Sequence, residues 1–109
     1  MNKKIEFEYD GKNYTLEYDR KSIKYMEANG FSIMEAQKKI ISSIDIMWEG
    51  AFYKNHKNEK KSHIEEMYKY LENKEELNDA LMEMIRETYE FEASGGNVDD
   101  SKKVEWKMA

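Results

Sequence analysis

The chain has 109 residues with no Cys, no Pro and a net charge of −5, and 38% of its side chains are charged. One domain is expected at this length, with a core too small for a deep enzyme cleft; the missing Cys excludes disulfides, thiolate metal sites and Cys nucleophiles together. No apolar run of about 20 residues is present, so no membrane-spanning helix is expected, and Ile5-Glu6-Phe7-Glu8 stands where a signal peptide needs an apolar stretch.

Residues 3–18 predict a β-hairpin. Ile5, Phe7 and Tyr9 alternate with Lys4, Glu6 and Glu8; after Asp10-Gly11 the alternation resumes with Tyr14, Leu16 and Tyr18 on one face. Asp-Gly between two alternating runs signals a tight turn, because Gly tolerates the positive φ that the turn demands. A two-stranded ribbon is marginal alone, so its apolar face must lie on the helices that follow. Asp19 is placed to cap a short helix over residues 20–29, with Ile23 and Met26 inward and Asn29-Gly30 as its stop.

Ser32-Ile33-Met34-Glu35 spells a capping box, with Phe31 as a hydrophobic staple before it. A helical stretch is expected from Ile33 to about Asn55, as one helix or as two. Its apolar positions include Ile33, Ala36, Ile40, Ile41, Ile44, Met47, Trp48 and Phe52. Ser42-Ser43 is a candidate interruption, and Gly50 weakens a helix by roughly 1 kcal/mol relative to Ala. Residues 55–61 read as a solvated loop. Ser62-His63-Ile64-Glu65 spells a second capping box, opening a helix with Ile64, Met67, Tyr68 and Leu71 inward. Asn73 is expected to cap the last helix, whose stripe is Leu77, Leu81, Met84, Ile85 and Tyr89. Residues 93–109 contain the only Gly-Gly and read as a flexible tail. Trp106 and Met108 in it must either fold back or bind a partner. The expected architecture is therefore α+β: one globular domain over residues 1–92, a hairpin followed by a four- to five-helix bundle, and then the tail.

Charge is unevenly spread. Residues 1–63 carry a net +2, residues 64–100 a net −9 and the last nine a net +2. An acidic back half argues against binding to a phosphate backbone, which needs a basic face that releases counterions. It suits solubility or a basic partner. Lys54, Lys57, Lys60 and Lys61 form the one basic cluster, read as a solvated loop. His56, Glu59 and His63 fall within that cluster at a spacing that is no recognised metal motif, so no metal is expected. No phosphate loop, dinucleotide fingerprint, zinc-protease motif or nucleophile elbow is present. Glu83, Glu87 and Glu90 share a helix face but lack the dry pocket that acid–base work requires. No cofactor and no catalytic residue are assigned. The eight Met residues suit a small core, and they also suit a surface that grips variable apolar partners. Met82, beside the main stripe of the last helix, is the leading candidate for exposed apolar surface.

The order of parts carries a resemblance. The hairpin ends in Tyr14-Thr15-Leu16-Glu17-Tyr18-Asp19 and runs directly into Arg20-Lys21-Ser22-Ile23-Lys24-Tyr25-Met26-Glu27, then Asn29-Gly30-Phe31. A later helix carries Met47-Trp48-Glu49-Gly50-Ala51-Phe52, followed by an acidic helical half and a polar tail. Across nearly its whole length, this layout resembles the tail assembly chaperones of long-tailed bacteriophages, especially those of Gram-positive hosts. The shared motifs are a layout and carry no chemical signature. The resemblance implies a non-catalytic protein of the host-cell cytoplasm, absent from the mature virion. Such a protein binds the aggregation-prone tape measure protein and delivers it to tail tube subunits. It also implies a longer, frameshifted form of the chain and homo-oligomers as partners, with neither nucleic acid nor membrane; Lys102-Lys103 is compatible with an A-rich slippery stretch. Met47, Trp48, Phe52, Met82, Tyr89 and Trp106 are the expected partner-binding residues. The competing expectation is a small acidic inhibitor or adaptor of a basic, nucleic-acid-binding host protein.

Overall fold

A computed structural model describes residues 3–36, 38–95 and 102–108. Strands β1 (Ile5–Tyr9) and β2 (Lys12–Leu16) form a two-stranded antiparallel sheet with Phe7 opposite Tyr14 and Tyr9 opposite Lys12. Asp10 (φ 52°) and Gly11 (φ 79°) both take positive φ. This is the mirror-image turn whose twist matches that of the strands, and Asp and Gly are the residues that tolerate it. The apolar face lies on the helices: Phe7 stacks on Trp48 and Tyr14 packs edge-on to Phe52.

Helix α1 (Arg20–Ala28) starts where the sequence places it. The Asp19 carboxylate accepts the Ser22 N–H at 2.8 Å, and the Ser22 hydroxyl accepts the Asp19 N–H at 2.8 Å. The helix closes in a Schellman motif: Phe31 N–H donates to the Met26 carbonyl and Gly30 N–H to that of Glu27, with Gly30 at φ 98°. Phe31 is carried into the core.

The expected helix from Ile33 to Asn55 is shorter. Its first part is a run of turns, and α2 spans only Ile40–Ala51. The Ser32–Glu35 box is not made; Ser32 instead accepts the Glu35 N–H through its backbone carbonyl. Helices in proteins persist mainly through packing of one face, and Glu35, Lys38, Lys39, Ile40 and Ile41 are all exposed. Ser42-Ser43 does not interrupt α2.

Helix α3 (Lys61–Tyr70) begins after Lys60, so Ser62 sits inside the first turn and the second capping box is also not made. Asn73 does precede α4 (Lys74–Ala93), but not as a side-chain cap. It takes φ 54°, the left-handed conformation that Asn tolerates. The Lys74 ammonium then donates to the carbonyls of Leu71 and Lys69, satisfying the end of α3. The fold is α+β, a hairpin followed by four helices. No helix among the described residues is long and apolar enough to cross a membrane.

Helix α2 is the centre of the core. It packs on α1, α3 and α4. Trp48 donates its indole N–H to the Ile64 carbonyl at 2.7 Å, and the Tyr18 hydroxyl donates to the Met47 carbonyl at 2.6 Å. Gly50 faces Met26 so closely that a Cβ there would overlap the Met26 Cγ and Sδ. Gly50 therefore weakens α2 locally in order to bring α1 against it.

Candidate partner-binding surface

The six expected contact residues do not form one surface. Trp48 (2% exposed) and Phe52 (1%) are interior residues that support the hairpin. Met47 is also buried, where it floors a groove. Tyr89 is half-buried, and its hydroxyl donates to Glu27 at 2.6 Å, tying α4 to α1. Burial, and then the Glu27 carboxylate, hold its phenol above the ordinary range. Met82 is half-buried and walls the same groove that Met47 floors. Trp106 is 83% exposed in the tail, flanked by exposed Val104 and Met108. The expected tail residues 96–101 lie outside the described residues.

The groove encloses about 580 Å³ between the chain at residues 33–47 and the first half of α4. Its apolar lining is Ile33, Ala36, Ile40, Ile44, Met47 and Met82. On the α4 side Asp79, Glu83 and Arg86 form the rim. Of the lining, Ile40 is 56% exposed, and Met34 (87%) and Ile41 (76%), each next in sequence to a lining residue, stand in solvent. Exposing such side chains forgoes roughly 1.5–3 kcal/mol of burial each, and clustered apolar exposure marks interaction sites. Asn78 also lines the groove. Its amide N–H donates to the Tyr68 hydroxyl at 2.9 Å, while its buried Oδ1 has no partner among the described residues.

The apolar spacing of the sequence puts Ile40 and Ile41 among the inward positions, whereas both are exposed, as is Met34. One signal was available: adjacent residues on a helix point about 100° apart, so a single core stripe does not hold both isoleucines.

The loop between α2 and α3 holds the titratable groups, and they act as latches. The His56 Nε2 accepts the Thr15 N–H at 3.0 Å, and the Asn55 amide donates to the Thr15 carbonyl at 3.1 Å. Burial, and then the Lys12 charge, push the His56 pKa down. The Glu59 carboxylate accepts from the Tyr14 hydroxyl at 2.7 Å and lies 3.1 Å from the His63 Nδ1; the Tyr14 bond leads in holding its pKa low. In return, burial and Glu59 push the Tyr14 phenol up to about 12. Glu17 is held low mainly by the Asn55 amide. Of the basic cluster, Lys54 pairs with Glu17 at 3.4 Å and Lys57 lies over the Tyr53 ring. Among the described residues, no group of three or more His, Asp or Glu side chains is arranged to hold a metal ion.

The chain belongs to the family DUF5055. This is a domain of unknown function, and its model matches residues 1–109. No curated protein and no solved structure matches the chain.

Proposed function

We propose that the chain is a non-catalytic chaperone of phage tail assembly that holds an amphipathic helix of the tape measure protein in the groove between residues 33–47 and α4. The observation that carries this reading is the groove itself. It has an apolar floor, the exposed lining residue Ile40 with exposed Met34 and Ile41 each next in sequence to a lining residue, and a rim on the α4 side where Asp79 and Glu83 outnumber Arg86. An occupant that fits is a helix whose apolar stripe is flanked by Lys or Arg, laid in by its i, i+3, i+4 anchors. Met47 and Met82 suit a client of irregular sequence, because Met adapts its shape. The layout of the chain, which resembles that of tail assembly chaperones, supplies the client's identity. Tail tube subunits would receive the client, a frameshifted longer form would act alongside the chain, and the host-cell cytoplasm would be the place of action.

The test is co-expression with tape measure fragments. Pull-down and fragment solubility should depend on the chain and fall at least tenfold with Ile41→Glu or Met82→Glu. Unchanged capture by both variants would overturn the groove assignment. No effect of the unmodified chain on any fragment would overturn the chaperone reading. The acidic-inhibitor reading rests on exposed Glu75, Glu76, Asp79, Glu83 and Glu90 along α4. Binding of that kind collapses with modest salt, whereas an apolar groove keeps its client.

A further inference from the structure

The two edges of the hairpin differ. In a two-residue hairpin, the pair next to the turn exchanges both hydrogen bonds. Tyr9, Phe7 and Ile5 therefore bond to β2, and Glu6 and Glu8 turn their N–H and C=O groups away from it. On β2 the outward positions are Asn13 and Thr15, and Thr15, opposite Glu6, is sealed by His56 and Asn55. Among the described residues, nothing bonds the backbone of Glu6 or Glu8. Burial follows the same asymmetry: Tyr14 and Leu16 of β2 are buried, whereas Ile5, Phe7 and Tyr9 of β1 remain half-buried. The ribbon thus ends where a third strand would continue it.

The tail has the pattern of that strand. Val104, Trp106 and Met108 alternate with Lys103, Glu105 and Lys107, and the three apolar side chains are 82–89% exposed. Glu6 and Glu8 on the solvent face of β1, and Lys4 just before it, are exposed as well. A parallel register sets Glu105 opposite Lys4 and Lys107 opposite Glu6, with opposite charges in both pairs. It lays Trp106 beside Ile5 and Met108 beside Phe7, over the half-buried apolar face.

We infer that the β1 edge is a strand-addition site for the tail segment 102–108 of a second copy of this chain. The tail's own edge is within reach. Lys3, just before β1, pairs with Glu87 at 3.0 Å, and Glu87 lies about 9 Å along α4 from Ala93. Seven residue steps from Gly95 to Lys102 span at most about 25 Å. Yet in the single chain the tail stays in solvent. A second copy is the occupant that carries this segment to every edge.

The experiment is mixing by sedimentation equilibrium on full-length chains. The unmodified chain should self-associate, and Glu8→Pro, which removes an outward N–H, and Trp106→Asp should each weaken association at least tenfold. Mixed together, the two variants should form a one-to-one complex that grows no further, since one retains only its tail and the other only its edge. Glu6→Lys should also weaken association, and Lys107→Glu should restore it. The charge swap does not depend on Pro being accepted in β1. A monomer at millimolar concentration overturns the inference, as does association insensitive to both Trp106→Asp and Glu6→Lys. Restoration by Lys103→Glu instead of Lys107→Glu keeps the site and reverses the strand direction.

Discussion

The contact between Gly50 and Met26 allows a prediction in which the sign of a mutation reverses. Gly50→Ala in a solvent-facing helix position would stabilise by about 1 kcal/mol through helix propensity. Here the new methyl would overlap the Met26 Cγ and Sδ, and Met26 is 0% exposed, so its side chain has no outlet to solvent. Overpacking of this kind costs about 1–3 kcal/mol, which cancels the propensity gain and leaves a net destabilisation of up to about 2 kcal/mol. Met26→Ala alone should cost about 2–5 kcal/mol through lost burial and a cavity. In the Met26→Ala background the Gly50 methyl enters vacated space, and Gly50→Ala should become stabilising by about 1 kcal/mol. Urea unfolding followed by Trp48 fluorescence measures all four chains, with Trp106 replaced by Phe throughout so that the buried indole alone reports. If Gly50→Ala stabilises both backgrounds equally, the close approach of α1 and α2 does not constrain Gly50, and the packing account fails.

Acid should destabilise the chain in two steps. The His56 pKa is lowered in the folded state, so the unfolded chain binds the proton first; the stability it contributes is complete above about 6.5 and is lost as pH falls below that value. Glu17 and Glu59 are lowered as well, so their contributions are complete above about 4.5 and are lost below it. His56→Gln, which keeps an acceptor for the Thr15 N–H, should abolish the first step in urea midpoints measured from pH 7.5 to 5; an unchanged slope would refute the assignment. Asp19→Ala should cost about 1 kcal/mol by removing the cap of α1, read by thermal unfolding. Ile41→Glu, at a position 76% exposed, should leave stability within about 0.5 kcal/mol while abolishing client capture; a large loss of stability would mean that Ile41 is a core residue.

The parts of the fold legible in the sequence are those set by local chemistry. Asp10-Gly11 dictates a turn with two positive φ values, Asp19 finds its acceptor role three residues on, and Gly30 ends a helix by conformation alone. Ser32-x-x-Glu35 and Ser62-x-x-Glu65 spell the same kind of signal as Asp19 but fail, because a box works only if a helix begins there. Tertiary packing sets that beginning, and it favours Ile40 and Lys61. The groove was half legible. Met82 stood out for lying off the main stripe, but Met34 and Ile41 become visible only once the helix through residues 33–39 is lost. His56 was illegible as a latch, since its partner Thr15 lies 41 residues away and nothing local marks a loop histidine as an acceptor for a strand.

The two apolar surfaces are close in space and yet separable. They meet at the exposed Lys3–Glu83 pair, 2.9 Å long, where Glu83 rims the groove and Lys3 precedes β1. An exposed pair of this kind contributes little and does not couple two sites strongly. Client capture and self-association should therefore respond independently. Ile41→Glu should lose the client and keep the assembly; Trp106→Asp should lose the assembly and keep the client. Both can be read on one preparation, by pull-down of a tape measure fragment and by sedimentation. Coupling through Lys3 predicts one exception: Glu83→Lys, which repels Lys3 at the start of the edge strand, should weaken both activities modestly. If Ile41→Glu and Trp106→Asp each abolish both activities, the groove and the edge form one continuous surface, and assembly of copies and capture of the client are a single event.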